Sequence, residues 1–333
     1  MSGEEDWRSL IGLRASTEEI NPRTIDIDQR TGPDLVGAIL AEDAGVHRAV
    51  AGATEQIGGL VEIAVRTLDS GGRVHYVGSG TSGRLAVLDA AELLPTYGVG
   101  PEEVIAHLAG GEPAMVSAAE GAEDDAAAGA RAVAGAGRSD LVIGVTASGR
   151  TPYVGGALRH ARRQDIATGL VATNTAAELA HLADVAVLVD TGPEAVTGST
   201  RMKAGTAQKM VLNAFSTATM VRRGKTYGNL MTEVLATNDK LRARTVRMLI
   251  QATGADAAQC AQALADSPDT RTALVALLAG ADPAAAARAL AHYRPDSTRT
   301  DDPGGVRSAV AHLRNPDGTG PAATACQGPV DQG

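Results

Sequence analysis

The sequence predicts an α/β protein, a five-stranded parallel sheet flanked by helices, with a small helical domain after it. Three observations predict this. Five short apolar runs, at Val74–Val77, 103–108, Asp140–Thr146, Ala167–Thr173 and Val185–Val189, have the near-continuous hydrophobicity of strands buried on both faces. Helical stretches at 84–94, about 114–135, 152–164 and 176–182 separate them, and such alternation calls for a parallel sheet with helices on both sides. Past Arg222-Arg223-Gly224-Lys225 the strands stop. Residues 238–293 are Ala/Leu-rich segments broken at Thr253-Gly254, Ser267-Pro268 and Gly280–Pro283, which reads as an appended bundle of short helices.

Composition narrows the function classes. The 333 residues suffice for one large domain or two ordinary ones. Aromatics make up 2%, so the core must be built from small aliphatic side chains. A net charge of −9, with no run interleaving basic and aromatic residues, argues against nucleic acid as a partner. Cys260 and Cys326 stand far apart and form neither a disulfide framework nor a thiolate metal site. No apolar stretch approaches the roughly 20 residues of a membrane helix, and the acidic first residues do not read as a secretory signal. The expectation is a cytoplasmic protein with no membrane partner.

Taken in order, residues 1–32 form a polar N-terminal segment in which Asn21-Pro22-Arg23 breaks any helix. From Pro33, Leu35, Ile39, Leu40, Val46 and Val50 recur at helical spacing, followed by Ile57, Leu60, Val61, Ile63, Ala64 and Leu68. These give two helices leading to the Ser70-Gly71-Gly72 turn and the first strand. The sheet domain is expected over 33–235 and the helical domain over 236–294. The Asp/Gly/Pro/Thr/Ala-rich residues 295–333 are expected as a mostly disordered tail with one helix around Val306–Leu313.

The candidate site lies where strands end. After the first comes Gly78-Ser79-Gly80-Thr81-Ser82-Gly83, with a helix expected from near Arg84. The N–H groups at a helix start have no internal partners and favour anions, and Ser79, Thr81 and Ser82 add hydroxyl donors. After the third comes Thr146-Ala147-Ser148-Gly149-Arg150-Thr151-Pro152, a second loop of the same chemistry. After the fifth, Thr191–Lys203 carries Glu194, Ser199 and Lys203 into a long helix. The first loop satisfies G-x-G-x-x-G, but the acidic residue a dinucleotide ribose needs about 20 positions on is missing from the second strand's tip, which ends in Leu108-Ala-Gly-Gly111. No G-x-x-x-x-G-K-[ST] loop and no H-E-x-x-H pair is present, and Ser148 lacks a G-x-S-x-G frame. A phosphate monoester fits best, with no metal or cofactor. His75 and His107, in apolar strands, read as hydrogen-bonded core residues. By composition Glu92 and Glu123 read as solvated carboxylates, and physics alone nominates neither.

The loops nevertheless occur with further motifs: Ala90-Ala-Glu92-Leu-Leu-Pro-Thr-Tyr-Gly98, Ala109-Gly-Gly-Glu112, Glu120-Gly-Ala-Glu-Asp124, Ala147–Val154, Val196–Lys209, Gly228-Asn-Leu-Met231 and Ala236–Leu241. In this combination and order, over about residues 15–293, the sequence resembles the N-acetylmuramic acid 6-phosphate etherases. Leu93-Leu94 and the looser Thr17–Arg23 depart from that pattern. The resemblance implies a sugar isomerase (SIS) fold with a small ubiquitin-associated-like helical domain, and a homodimer with sites near the subunit interface. It also implies metal-free cleavage of the D-lactyl ether of the phosphosugar by water in cell-wall recycling. By position it makes Glu92 the acid/base and Glu123 the second catalytic carboxylate. Ser79, Gly80, Thr81, Ser82, Ser148, Gly149 and Thr151 would hold the 6-phosphate, and Glu194, Ser199 and Lys203 would touch the substrate. The same fold also serves aldose–ketose isomerases and a phosphosugar-binding regulator, which stand as alternatives.

Overall fold

The computed structural model describes residues 15–234 and 239–315. The chain divides into two compact units, one of Met1–Leu94 with Val99–Thr219 and the other of Pro95–Gly98 with Met220–Gly333. The division falls at 219/220, inside the helix that ends at Arg222 and upstream of the 235/236 boundary that composition suggests.

In the first unit, helices α1 (Gly32–Asp43), α2 (Val46–Ala51) and α3 (Thr54–Asp69) precede β1 (Val74–Gly78) and α4 (Gly80–Tyr97). Then come β2 (Val104–Leu108), α5 (Ala126–Ala132), β3 (Leu141–Thr146), α6 (Pro152–Arg163), β4 (Ala167–Ala172), β5 (Val185–Leu188) and α7 (Lys203–Arg222). The five strands pair in parallel, as the apolar runs predict, and their order is β2-β1-β3-β4-β5. Every residue of β1 and β3 is buried.

The core is close-packed through missing side chains. A Cβ on Gly144 of β3 would lie 2.5 Å from Val154 of α6, and one on Gly169 of β4 would lie 2.6 Å from Leu60 of α3. Gly144 pairs with Leu170, so Gly144 and Gly169 face opposite sides, and α6 and α3 cover the two faces of the sheet. Likewise a Cβ on Gly156 of α6 would fall 1.8 Å from the Ala126 carbonyl, which lets α5 lie directly on α6.

Three local expectations are corrected. The first expected helical run splits at Ala44-Gly45 into α1 and α2. The stretch expected as helix over 114–135 is a 3₁₀ turn at Glu112–Met115, a series of turns, and the short α5. Its alanines favour helix, but Gly121 takes φ 71° and Asp125 starts the helix late by accepting the Ala128 N–H at 2.7 Å. The segment 176–182 is a 3₁₀ turn, Glu178–Leu182.

The second unit holds an unexpected hairpin, β6 (Thr226–Tyr227) with β7 (Leu230–Met231), and α8 (Asp239–Thr253), α9 (Ala257–Asp266), α10 (Thr270–Ala279), α11 (Pro283–His292) and α12 (Val306–Arg314). Asp256, Asp269 and Asp282 cap α9, α10 and α11 by accepting backbone N–H groups at 2.7–2.9 Å. Within the expected tail, residues 295–315 are folded, and α12 lies where one helix is expected around Val306–Leu313. Buried Asp302 accepts the Ser308 N–H at 2.7 Å at the start of α12, and Val306 and Ala309 join the core of Leu249, Cys260, Leu274 and Ala286. The remainder of the expected tail, with Cys326, lies outside the described residues. No single helix among the described residues is long and apolar enough to cross a membrane.

The N-terminal segment is tied down by a buried ion cluster. Glu42 of α1 accepts Arg23 Nε at 2.6 Å, Asn21 Nδ2 at 2.7 Å and Lys203 Nζ at 3.0 Å. Those partners, Arg23 foremost, hold its carboxyl at about 2 in spite of burial. A carboxyl held below its unfolded value stabilises the fold in full above that value and ceases to do so as pH falls toward the folded one. Arg23 is mostly exposed, which discounts the pair. We expect Glu42→Gln to lower stability by about 2–3 kcal/mol at neutral pH. In urea unfolding the gap to wild type should narrow as pH falls below about 4.5; equal stabilities at pH 7 would refute the cluster's role.

Candidate active site

The site is built where β1 hands over to α4. A Cβ on Gly78 would lie 2.8 Å from Gly83 Cα, and one on Gly83 would lie 2.6 Å from the Gly78 carbonyl oxygen, so strand end and helix start touch through backbone alone. This contact starts α4 at Gly80 (φ 52°), four residues before the expected Arg84. Thr81 and Ser82 are therefore not free-loop residues but the first turn of a helix, where backbone N–H groups lack intrahelical acceptors. The Gly83 N–H is already taken by the Ser79 carbonyl at 3.0 Å. Ser79 and Thr81 are half-buried, Gly80 is exposed and Ser82 is buried.

The second loop leaves β3 beside it, since Gly78 pairs with Val145. Gly149 takes φ 73°, and a Cβ there would meet Ala177 at 2.2 Å. The loop is braced from behind: Asn174 Nδ2 donates to the Ser148 carbonyl at 2.9 Å, and the Leu179 N–H to the Gly149 carbonyl at 2.9 Å. Ser148 Oγ accepts the Arg150 N–H at 3.2 Å and lies 3.5 Å from Thr146 Oγ1, a long contact from which its proton can turn to a ligand. Thr146 and Thr151 share a hydroxyl–hydroxyl bond of 2.8 Å, which uses one proton of the two. With Thr146 as donor, the Thr151 proton is left to donate. Two phosphate-competent loops thus stand side by side at the carboxyl edge of the sheet, where ligands of open α/β folds bind.

Glu123 comes to the second loop through its backbone: its carbonyl accepts the Tyr153 N–H at 2.9 Å in the first turn of α6. Its side chain is exposed. Arg84, which sequence reasoning passed over, holds the preceding turn by donating to the carbonyls of Ala114 at 2.9 Å and Ser117 at 3.1 Å. Glu92 lies on α4, exposed, with exposed Leu88 one turn before it. It stands twelve positions beyond Gly80, about 18 Å along the helix at 1.5 Å per residue.

The third loop is corrected. Glu194 is fully buried, and its two oxygens accept the Lys203 and Ala204 N–H groups at 2.9 and 3.0 Å, capping α7. Lys203 is 2% exposed and its ammonium lies on Glu42. In the single chain neither side chain reaches the surface; both fix the start of α7. Ser199 remains a half-buried hydroxyl beside that start. The segment 15–24 clamps the same loop, with Thr24 Oγ1 donating to the Ala195 carbonyl at 2.9 Å and the Gly198 N–H donating to the Thr17 carbonyl at 3.0 Å.

Another acid lies in this region. Asp89 on α4 is buried, accepting Tyr76 Oη at 2.9 Å and Ser216 Oγ at 2.9 Å. Burial pushes its carboxyl up to about 6 against those two hydrogen bonds, with the Glu92 charge adding to the rise. His75 Nδ1 and His107 Nε2 lie 3.0 Å apart as a stacked core pair, and burial lowers both, His107 to about 4. Among the described residues no three His, Cys, Asp or Glu side chains group as a metal site requires.

Known proteins resemble the chain throughout these elements. The family model of the glucokinase regulatory protein N-terminal SIS domain matches residues 56–162, from α3 to α6. An N-acetylmuramic acid 6-phosphate etherase of Thermobifida fusca is 53% identical over 268 residues, 80% of this chain and 88% of the relative. Etherases of the same name from Mycolicibacterium smegmatis (49% over 275 residues, 82% and 92%) and Deinococcus radiodurans (49% over 267 residues, 79% and 88%) are similar to it as well. At such identity and coverage, the chain belongs to the N-acetylmuramic acid 6-phosphate etherase family.

Proposed function

We propose that this chain cleaves the D-lactyl ether of N-acetylmuramic acid 6-phosphate with water, giving N-acetylglucosamine 6-phosphate and D-lactate, as a carbon–oxygen lyase. The observation that carries the reading is the pair of hydroxyl-lined loops at the carboxyl edge, in a chain of this family, with an exposed glutamate on each of the two elements that leave β1 and β2. The relatives' similarity spans about four-fifths of the chain, well beyond the SIS core that the regulatory protein shares.

The chemistry follows from the substrate. Ring opening exposes an aldehyde at C1, which acidifies the C2 proton. A base takes that proton, the C3–O bond breaks, and the lactate oxygen leaves with a proton from an acid. Water then adds at C3 and C2 is reprotonated, so the sum is ether plus water to alcohol plus D-lactate. Each step moves a proton, which carboxylates can do, and each positioned acid or base contributes about 10²–10⁴-fold. Glu92 is the principal acid/base; Glu123 protonates the ring oxygen or the leaving group. Thr81, Ser82, Ser148 and Thr151 hold the 6-phosphate and so fix C2 against the base.

The length of α4 decides how these parts meet. From phosphorus to C2 an extended sugar phosphate has six bonds, about 7–8 Å at roughly 1.2 Å per bond. A phosphate at the start of α4 therefore leaves C2 out of reach of a carboxylate about 18 Å further along the same helix. Glu123, tied to the second loop, serves the sugar on its own subunit, and Glu92 of the partner subunit completes the site in a homodimer. Exposed Leu88 beside Glu92, and exposed Val36 and Leu40 on one face of α1, are apolar surface for such a contact.

Two outcomes test the reading. Ser148→Ala and Ser82→Ala should each raise KM for the phosphorylated sugar at least tenfold, since a hydrogen bond to a charged group contributes about 1.5–3 kcal/mol; an unchanged KM sinks the phosphate cradle. Glu92→Gln and Glu123→Gln homodimers should release little D-lactate. A purified mixed dimer of the two should regain about half the wild-type rate, because one of its two symmetric sites is intact; a silent mixed dimer means that both glutamates act within one chain.

A further inference from the structure

The buried Asp89 clamp has a use that the proton transfers do not. Asp89 sits one turn before Glu92 on α4, and its two oxygens take hydroxyls from two other elements, Tyr76 of β1 and Ser216 of α7, each at 2.9 Å. It is 6% exposed, and Tyr76, its donor from the sheet, is 1% exposed. A helix packed only through small aliphatic contacts can roll about its axis. Two directional bonds to two separate elements, a strand and a helix, restrict that freedom. The roll matters because side-chain ends ride about 5–6 Å from the axis, so a turn of about 10° moves a carboxylate by about 1 Å. A misplacement of that size can change a rate by about 10²-fold.

We propose that Asp89 is a positioning residue of the reaction: by receiving the Tyr76 and Ser216 hydroxyls it fixes the rotation of α4 and thereby the aim of Glu92. The proposal rests on the reading of Glu92 as the acid/base. The charged groups bearing on Asp89 are Glu92 on its own helix, which raises its proton affinity, and Lys209 on α7, which lowers it; Tyr76 and Ser216 favour its ionised form. Burial keeps its carboxyl near 6. As pH falls through that value Asp89 takes a proton, one of its oxygens becomes a donor, and one of the two hydroxyls must reverse or let go. The backbone contact of Gly78 with Gly83 still holds the first turn of α4, where Thr81 and Ser82 lie, so the loosening falls on the Glu92 end and kcat should fall while KM holds.

The test is the pH profile of kcat, from pH 5 to 8, for wild type, Tyr76→Phe, Ser216→Ala and Asp89→Asn, with Glu92→Gln beside them. Wild-type kcat should fall below about pH 6. Tyr76→Phe and Ser216→Ala each remove a donor to the charged form and should move that limb to higher pH. Asp89→Asn should lower kcat at pH 8 by tenfold or more with KM changed less than threefold, and should lack the limb. A limb set by the substrate's own phosphate would stay in place in every variant. If Glu92→Gln is inactive but the limb stays put in both hydroxyl variants, or wild type shows none, the positioning role is overturned. If Glu92→Gln is fully active, the reading of Glu92 fails instead. Tyr76→Phe and Ser216→Ala decide the matter even where Asp89→Asn does not fold.

Discussion

The contact of Gly78 with Gly83 is the constraint on which the rest of the first unit depends. A Cβ on Gly78 would lie 2.8 Å from Gly83 Cα, so strand end and helix start can approach this closely only if neither carries a side chain. That contact brings α4 out of the sheet at Gly80, so that Thr81 and Ser82 become the helix's open first turn and not part of a free loop. It sets the axis along which Glu92 stands. The same rule recurs where Gly149 backs onto Ala177 and where Gly156 and Gly129 let α5 and α6 touch. A chain with so few aromatic side chains gains its rigidity by bringing backbones together, with small aliphatic groups between them.

Charge is used inside this frame as bracing. Glu194 caps α7, and Glu42 gathers Lys203, Arg23 and Asn21, so that the 15–24 segment, α1 and the loop before α7 hold one another. Glu42, Glu194 and Lys203 are buried and satisfied, which makes each costly to lose singly. The carboxylates assigned to chemistry, Glu92 and Glu123, are by contrast exposed in the single chain. That contrast fits a site closed by a second copy.

The five strands were legible because a parallel strand buried on both faces reads as an unbroken apolar run. The two loops were legible because glycine and hydroxyl alternate there beyond what a turn needs. The start of α4 was not, since Gly, Thr and Ser are weak helix formers and only the packing of Gly83 on β1 overrides them. Residues 114–135 misled through alanine content, which says nothing of the left-handed Gly121. Glu194 and Lys203 looked like ligand contacts because their partners, a helix start and Glu42, lie in space and not in local sequence. Asp302 and the close approach of Gly224 to Gly304 hold residues that composition assigns to a tail. The carboxylates themselves became legible only through the family resemblance.

The central claim is that a carboxylate removes the C2 proton of a phosphosugar held at these loops. The most direct measurement is to incubate the protein with N-acetylmuramic acid 6-phosphate in deuterated water and examine both products. Release of D-lactate with deuterium at C2 of the N-acetylglucosamine 6-phosphate, and loss of both in Glu92→Gln, is the result predicted. D-lactate formed with hydrogen retained at C2, or no D-lactate at all, would contradict it.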